Sequence, residues 1–269
     1  MNKILTIFFV VITFTSCSEY QKAMKSDDLD LKKATATSLY ENQKYTKAIS
    51  LFEQISPSLK GKPDSEQYFY MLSKSYYETE QYYLAGFSLE KFVSDYPKSE
   101  KKEEAAFLSA QCFFKLSPVY SLDQADTYKA LDKLQAFIDT YPNSEYMPMA
   151  NNLVKELTDK IEFKAFEVAK QYNLTAEHYR DFNAPIKVFD IFLADYPGTK
   201  YKEDALYYKF DTHYKFALNS VESKKQERLK NAKAAYETLL KFNSDTKYKK
   251  IADKQIAIIE KELTLYSNN

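Results

Sequence analysis

Histidine and cysteine are the side chains of this chain best suited to catalysis or metal binding, and each occurs twice. The histidines, His178 and His213, stand in no HExxH motif and in no cysteine–histidine arrangement with metal-site spacing. The many carboxylates alternate with lysines along the predicted helices, which is typical of solvated i,i+4 pairs. No Gly-x-Ser-x-Gly segment is present. The sequence therefore predicts a protein that is not an enzyme and that binds no metal and no cofactor.

The first cysteine closes an N-terminal segment with the features of a secretion signal. An uncharged run of 12 residues follows a lysine, and it is shorter than the about 20 apolar residues that span a bilayer. Thr15-Ser16-Cys17 then resembles a bacterial lipobox, with Phe14 where leucine is usual. The resemblance implies a signal peptide at 1–16, acylation of Cys17 and a lipidated linker at 17–27. The alternative is that Cys17 is an incidental thiol behind an ordinary signal.

The composition favours a folded, mostly helical chain and argues against several function classes. Among 269 residues, 38 Lys and Arg balance 38 Asp and Glu, whereas nucleic-acid-binding proteins carry a basic excess. Three glycines are too few for a phosphate-binding loop or a dinucleotide motif. An aromatic content of 16% is too high for a disordered chain. The second cysteine, Cys112, lies in an apolar helical stretch and is interpreted as a small buried hydrophobe.

A phrase of the form Tyr-Pro-x-Ser/Thr recurs at 95–99, 140–144 and 195–199. Four residues precede each proline at offsets of 15, 12, 8 and 5, and these steps place them on one helical face. A degenerate first copy ends at Pro57, and a last copy has Ser244 in the place of proline. The recurring residues are Tyr45, Ala48, Phe52 and Ile55; Tyr82, Ala85, Leu89 and Phe92; Thr127, Ala130, Leu134 and Phe137; Phe182, Pro185, Phe189 and Phe192; and Leu229, Ala232, Tyr236 and Leu239.

The repeated pattern predicts five helical hairpins followed by a capping helix. Each proline phrase is expected to end the second helix of a hairpin, and Ser99, Ser144 and Thr199 are expected to N-cap the next helix. The predicted first helices are 28–42, 64–79, 100–116, 145–175 and 200–219; the predicted second helices are 44–55, 81–95, 126–140, 183–195 and 225–242; and the capping helix is 246–266.

Tyrosine, alanine and a bulky apolar residue ahead of proline resemble the second half of a tetratricopeptide repeat. One hairpin buries only part of its apolar surface, so neighbouring hairpins stack to complete the core. The sequence therefore predicts an all-α protein, an α-solenoid of five degenerate tetratricopeptide-like hairpins with a C-terminal capping helix. Repeats 1–3 fall at 28–142, and repeats 4–5 with the capping helix fall at 143–269.

The first helix of each hairpin is expected to line the concave side of such a stack. Its inward positions carry aromatic rings and lysines, which suit an extended peptide with aromatic side chains and a terminal carboxylate. The alternative is that these rings pack against the neighbouring repeat and contact no ligand. The predicted peptide-binding residues are Tyr40, Tyr70, Lys74, Tyr77, Phe107 and Phe114, with Lys33, Thr37 and Gln111 beside them.

The lipobox-like cysteine, the five repeats and the phrase Tyr-Pro-Asn-Ser-Glu-Tyr at 141–146 together resemble the BamD family of outer-membrane lipoproteins. The phrase leads into a long helix with Leu157, Ala165 and Glu167 at positions where the family carries these residue types. The chain departs from the family pattern at the lipobox phenylalanine, at Pro185 in the place of alanine, and in the fifth repeat, which lacks its proline.

The resemblance implies a lipid-anchored scaffold that faces the periplasm from the outer membrane and assists the assembly of β-barrel proteins. It implies that the C-terminal repeats bind the periplasmic domains of the insertase BamA. It also implies that the N-terminal repeats receive unfolded outer-membrane protein peptides, without nucleotide or covalent chemistry. A different tetratricopeptide lipoprotein, acting as an adaptor in cell-wall or division assembly, stays open as an alternative.

Overall fold

The computed structural model describes residues 19–266, and every regular element in that range is a helix. A short helical stretch at 19–25 precedes eleven longer helices. The prediction of an all-α chain of helical hairpins is confirmed. The helices are α1 (Leu29–Glu41), α2 (Tyr45–Leu59), α3 (Ser65–Glu78), α4 (Tyr82–Asp95), α5 (Lys102–Leu116), α6 (Ala125–Thr140), α7 (Met147–Tyr179), α8 (Asn183–Asp195), α9 (Lys202–Leu218), α10 (Glu222–Phe242) and α11 (Lys249–Thr264).

The recurring positions ahead of each proline form the core of the hairpins, as predicted. In α4, Ala85 and Leu89 have no exposed surface, and Phe92 is 2% exposed. Burying a leucine or phenylalanine side chain stabilises a fold by about 1.5–3 kcal/mol, so this stripe is a main source of stability. The equivalent buried residues in the other hairpins are Ala48, Phe52, Ile55, Ala130, Leu134, Phe137, Pro185, Phe189, Phe192, Leu229, Ala232 and Leu239.

The first proline does not end its helix, and this part of the prediction is wrong. Pro57 lies inside α2, which continues to Leu59. A proline has no N–H to donate to the carbonyl four residues earlier, so it weakens the last turn. The turn stays helical because Leu59 is 1% exposed and belongs to the core of the first hairpins. Tertiary burial therefore overrides the local stop signal.

The hydroxyl residues after each proline lie in the turn before the next helix and do not cap that helix, so this part of the prediction is wrong. The Ser99 hydroxyl accepts a 3.0 Å hydrogen bond from the backbone N–H of Lys101, and Lys101 itself is the N-cap residue of α5, without a side-chain capping bond. Ser144 and Thr199 accept the same bond from the residue two positions on, each at 3.0 Å. These side chains order the turn before the helix, since Ser and Thr commonly bond backbone groups two residues away.

Three hairpin turns use left-handed residues that are not glycine. Gln43, Glu80 and Arg180 have φ values of 58°, 59° and 55°, a region that L-residues other than asparagine and aspartate seldom enter. In the first turn Lys44 N–H donates to the Leu39 carbonyl at 2.8 Å, and Gln43 N–H donates to the Tyr40 carbonyl at 2.9 Å. This bond pattern is the Schellman motif, which satisfies the last carbonyls of a helix.

The described helices belong to two compact units. The first unit runs to Leu157 and the second begins at Thr158, so the division falls inside α7. The first unit holds α1–α6 and the start of α7; within it α1 contacts α3, and α3 contacts α5, as the first helices of stacked repeats do. The second unit holds the rest of α7 and α8–α11. None of the helices in residues 19–266 is long and apolar enough to cross a membrane.

Candidate functional site

Aromatic ring stacks join successive repeats at a fixed position of the sequence. The fourth residue after the proline position, termed here the stacking position, is a tyrosine in three copies. Each tyrosine ring lies nearly parallel to a ring of the preceding first helix, at interplanar angles of 10°, 8° and 2°. Such stacks add about 0.5–1.5 kcal/mol beyond the area they bury. The pairs are Phe107–Tyr146, Phe166–Tyr201 and Tyr207–Tyr248.

The junction between the second and third repeats lacks this stack. Its stacking position is Lys101, whose Nζ lies 5.6 Å from the ring centroid of Tyr70. A lysine covers less of a ring than a tyrosine does, and Tyr70 lines an open concavity of about 620 Å³. Lys101, Tyr40 and Lys74 line it too. We call this the Tyr70 concavity, and it exists where the ring-stacking pattern is interrupted.

The two lysines of the Tyr70 concavity meet at one carboxylate, Glu104, and Asp64 and Glu66 also line the concavity. Glu104 Oε2 lies 3.3 Å from Lys101 Nζ, and its Oε1 lies 3.6 Å from Lys74 Nζ. The Tyr70 hydroxyl also hydrogen-bonds Glu104. Lys74 contacts Glu78 as well, at 3.6 Å. Two cations therefore share one carboxylate inside the concavity, and a carboxylate brought by a ligand would meet the same two lysines.

The ionisation of these groups favours binding over proton transfer. Burial, with the neighbouring Tyr45, raises the pKa of Tyr40 to about 12. Burial and the hydrogen bond to Glu104 raise the pKa of Tyr70 still further. Burial works against the charge of Glu104, but the Tyr70 hydroxyl and Lys101 outweigh it and lower the pKa of this carboxyl. At neutral pH the phenols of the concavity are thus neutral, and its charged lining residues are Lys74 and Lys101 with the carboxylates Asp64, Glu66 and Glu104.

The remaining predicted groove residues have different surroundings. The Tyr77 hydroxyl donates a 2.6 Å hydrogen bond to Gln111, and its ring lies 5.4 Å from Lys74 Nζ. Phe107 is 3% exposed because Tyr146 stacks on it, so its ring lies in the core of the third repeat. Phe114 is half-buried against the same core. The structure thus brings three of the six predicted groove residues to one concavity.

Two other predicted residues do not line the Tyr70 concavity. Lys33 contacts Asp64, which lines it, and Cys17 lies beyond the described range. Lys33 forms an ion pair with Asp64 and lies 5.2 Å from the ring centroid of Tyr68. Cys17 and the predicted signal peptide at 1–16 lie outside the described residues.

Sequence reasoning missed Lys101 and Glu104, which complete the concavity. A signal for Lys101 is present in the recurring phrase. Its fourth residue after the proline position is tyrosine at 146, 201 and 248, and lysine only at 101. For Glu104 the helical periodicity gives no comparable signal, because its partners come from α3 and from the turn before α5. Within residues 19–266, no group of three or more histidine, cysteine or acidic side chains is placed to hold a metal ion.

A comparison with protein families assigns the chain. The family model YfiO, described as an outer membrane lipoprotein, matches residues 30–229, which is most of the chain. The chain belongs to the YfiO family. The match includes every described residue of the Tyr70 concavity and of the ring stacks up to Tyr207, whereas Cys17 precedes it and α11 follows it.

Two relatives of this YfiO-family chain carry the name BamD, which confirms the predicted family resemblance. The outer membrane protein assembly factor BamD of Caulobacter vibrioides is 23% identical over 191 residues, covering 71% of this chain and 61% of the relative. The putative outer membrane protein assembly factor BamD of Aquifex aeolicus is 25% identical over 219 residues, covering 81% and 68%. The chain spans about three fifths of the length of the first relative and about two thirds of the second.

Solved structures similar to this YfiO-family chain are repeat proteins of low sequence identity. The TPR2AB domain in the pHSP90 complex of yeast Sti1 is 14% identical, with 86% of this chain and 98% of that chain covered and a TM-score of 0.39. A putative kinesin light chain of Podosopora anserina with nearly identical TPR-like repeats is also 14% identical, with coverages of 79% and 96% and a TM-score of 0.33.

Proposed function

We propose that this chain is a non-enzymatic scaffold of the outer membrane β-barrel assembly complex, which receives segments of unfolded barrel proteins. The observation that carries the proposal is the Tyr70 concavity, a site with two tyrosines and two lysines placed within the part of the chain that matches the YfiO family. The names of the two relatives, both outer membrane protein assembly factors, support the same role.

The concavity suits an extended segment that ends in an aromatic residue and a free carboxylate. The half-buried ring of Tyr40 offers a surface for stacking, worth about 0.5–1.5 kcal/mol for a ring pair, and the small exposed part of Tyr70, 9% of that residue, lines the same concavity. Lys74 and Lys101 offer two cations for the carboxylate, at the cost of their contacts with Glu104. Binding and release then need no covalent step, no nucleotide and no metal, because the affinity comes from stacking and charge alone.

The lysine at the stacking position gives a sharp test of this site. Lys101→Tyr introduces the residue found at three of the other junctions, so the fold should be kept while the exposed part of Tyr70 becomes covered. We expect the affinity for a peptide ending in phenylalanine to fall at least tenfold, since stacking and charge are both lost. Lys91→Ala is the matched control, because this lysine is exposed and lies on α4. Isothermal titration should give the wild-type peptide affinity for Lys91→Ala. A wild-type peptide affinity for Lys101→Tyr would refute the site.

A lipid anchor at Cys17 is the second element of the proposal. Acylation of this cysteine would tether the chain to the periplasmic side of the outer membrane, because two or more acyl chains give stable anchoring. Metabolic labelling with a fatty-acid analogue should mark the wild-type protein and leave Cys17→Ser unmarked. An unlabelled wild-type protein would remove the anchor from the proposal.

The partner expected from the family resemblance is the insertase BamA, bound through repeats 4–5 and the capping helix at 143–269. A detergent pull-down of the full chain should recover a large β-barrel protein with periplasmic domains. Depletion of the chain should lower the level of outer-membrane barrel proteins broadly. Normal barrel levels after depletion would favour the alternative, an adaptor in cell-wall or division assembly.

A further inference from the structure

A second cavity lies on the other face of α5, between α4, α5 and α6. At about 100° per residue, Lys102, Ala106 and Ser109 lie about 140–200° around the helix from Glu104, so this cavity and the Tyr70 concavity are separated by α5. Its volume is about 490 Å³. Most of its lining is apolar, and the Glu90–Lys133 ion pair stands at its partly exposed side. We call it the Ala106 cavity; its other lining residues include Val93, Pro97, Phe137 and Tyr141.

The cavity exists because the third repeat carries small residues where the second carries large ones. The first helices α3 and α5 align with Tyr70 opposite Phe107 and Tyr77 opposite Phe114. In this alignment two bulky residues of α3 correspond to two small residues of α5, and both small residues line the cavity. In the second repeat the bulky residues pack into the core. The corresponding pairs are Phe69 with Ala106 and Leu72 with Ser109.

The third repeat differs from the second in a further respect, the surroundings of one phenol. Tyr96 and Tyr141 hold equivalent places, with ring centroids 5.1 and 5.3 Å from the phenylalanine four residues earlier. In the second repeat the Tyr96 hydroxyl pairs with the Ser65 hydroxyl at 2.9 Å. The third repeat has Lys102 at the position of Ser65, and the Tyr141 hydroxyl is buried with no partner among residues 19–266. A buried hydroxyl without a partner is destabilising, so a ligand that accepts its hydrogen bond gains affinity.

We propose that the Ala106 cavity binds a six-membered aromatic ring that carries a neighbouring hydrogen-bond acceptor. The ring would fill the space that Phe69 fills in the second repeat, and the acceptor would take the bond that Ser65 supplies there. Lys102 lines the same cavity and has no carboxylate partner among the described residues, so a carboxylate or carbonyl acceptor suits it best. The shared chemistry can come from a phenylalanine residue of a peptide or from a free aromatic acid. This site does not rest on the proposed function.

The test uses small probes that separate these two sources. The full chain in detergent is titrated with N-acetyl-phenylalaninamide, which represents an internal residue, and with phenylacetate, which represents a free acid. N-acetyl-alaninamide and acetate are the ring-free controls. Ligand-detected NMR should show saturable binding of at least one aromatic probe and none of either control. The tighter aromatic probe identifies the source.

Variants then locate the binding. Ala106→Phe restores the residue of the second repeat and should abolish the saturable signal of N-acetyl-phenylalaninamide, and Ser109→Leu is a second, independent way to fill the cavity. Phenylacetate, whose free carboxylate also suits the Tyr70 concavity, is compared in the Lys101→Tyr background, where Ala106→Phe should abolish its signal. Tyr141→Phe removes only the hydroxyl and should weaken the aromatic probe about fivefold, which is the effect of one net hydrogen bond of about 1 kcal/mol. Lys101→Tyr, which changes the Tyr70 concavity alone, should leave the affinity for N-acetyl-phenylalaninamide unchanged, because this probe has no free carboxylate.

Three results would overturn the inference. They are the absence of saturable binding of both aromatic probes to the wild type, equal binding by folded Ala106→Phe or Ser109→Leu protein, and loss of binding in Lys101→Tyr but not in Ala106→Phe. The last result would assign the probe to the Tyr70 concavity, so failure of this inference and failure of the proposed function are distinguishable.

Discussion

A pair of leucines on one helix tests whether the repeated stripe is the core. Leu89 and Leu84 both lie on α4, and the first has no exposed surface whereas the second is 47% exposed. Leucine and alanine have similar helix propensities, so Leu→Ala at either position changes packing and little else. At Leu89 the change removes a fully buried side chain and leaves a cavity, which costs about 3–5 kcal/mol. At Leu84, half in water already, the cost should stay below about 1 kcal/mol.

The difference is large enough to read from thermal unfolding. For a unit of about 150 residues, 1 kcal/mol corresponds to about 2–4 °C in Tm, so Leu89→Ala should lower the Tm by at least about 6 °C. Leu84→Ala should lower it by less than about 4 °C on the same scale. Far-UV circular dichroism during heating measures both, and if the two units unfold separately only the transition of the first should move. Equal losses, or a larger loss in Leu84→Ala, would refute the assigned register of α4.

Three further outcomes follow from single residues. Glu80→Gly should stabilise the chain by about 1 kcal/mol, because glycine enters the left-handed region without strain, and Glu80→Ala should not. A lower free energy of unfolding for Glu80→Gly in chemical denaturation would contradict the assigned turn. Burial raises the pKa of the Cys112 thiol to about 12, so iodoacetamide should label it only after unfolding, and rapid labelling of folded protein would count against its burial. The hydrogen bond from the Thr246 hydroxyl lowers the pKa of Glu203 below its ordinary value of about 4.5. The ionised Glu203 carboxylate therefore stabilises the fold above that pH, and this stabilisation is lost as the pH falls below it. Glu203→Gln should therefore show a shallower acid-induced loss of stability than wild type, and identical pH curves would show that this carboxylate has no part in it.

The helices and their buried faces could be predicted because the relevant information is local and repeated. Ala85, Leu89 and Phe92 recur at fixed offsets from a proline, and one helical period places them on one face. The turn at Glu80 gave no such signal. Helix ends of this type usually carry glycine, and the chain forms them with other residues, so the composition concealed the Schellman motif. The last turn of α2 escaped prediction since Leu59 is held by contacts from other helices.

The candidate site was harder to predict because its residues are selected by the neighbouring repeat. Tyr70 and Phe107 hold equivalent places on their helices, and periodicity alone treats them alike. Phe107 is stacked on by Tyr146 from the following repeat, whereas Tyr70, which packs on Phe92 and is 9% exposed, meets Lys101 there instead of a tyrosine ring. The deciding residue lies on the next repeat, so the sequence of the first helices alone could not predict which of the two rings lines a concavity.

The continuity of α7 across the division between the two compact units decides how the chain can be dissected. A cut after Leu157 would sever consecutive i→i−4 backbone bonds and leave a ragged end on each fragment, since four donors and four acceptors lose their partners at any new helix terminus. Proteases would likewise find their first accessible sites in the turns at either end of this helix, ahead of Met147 or after Tyr179. Fragments intended to separate the two halves should therefore keep α7 whole on one side, and the half deprived of it should be the less soluble one.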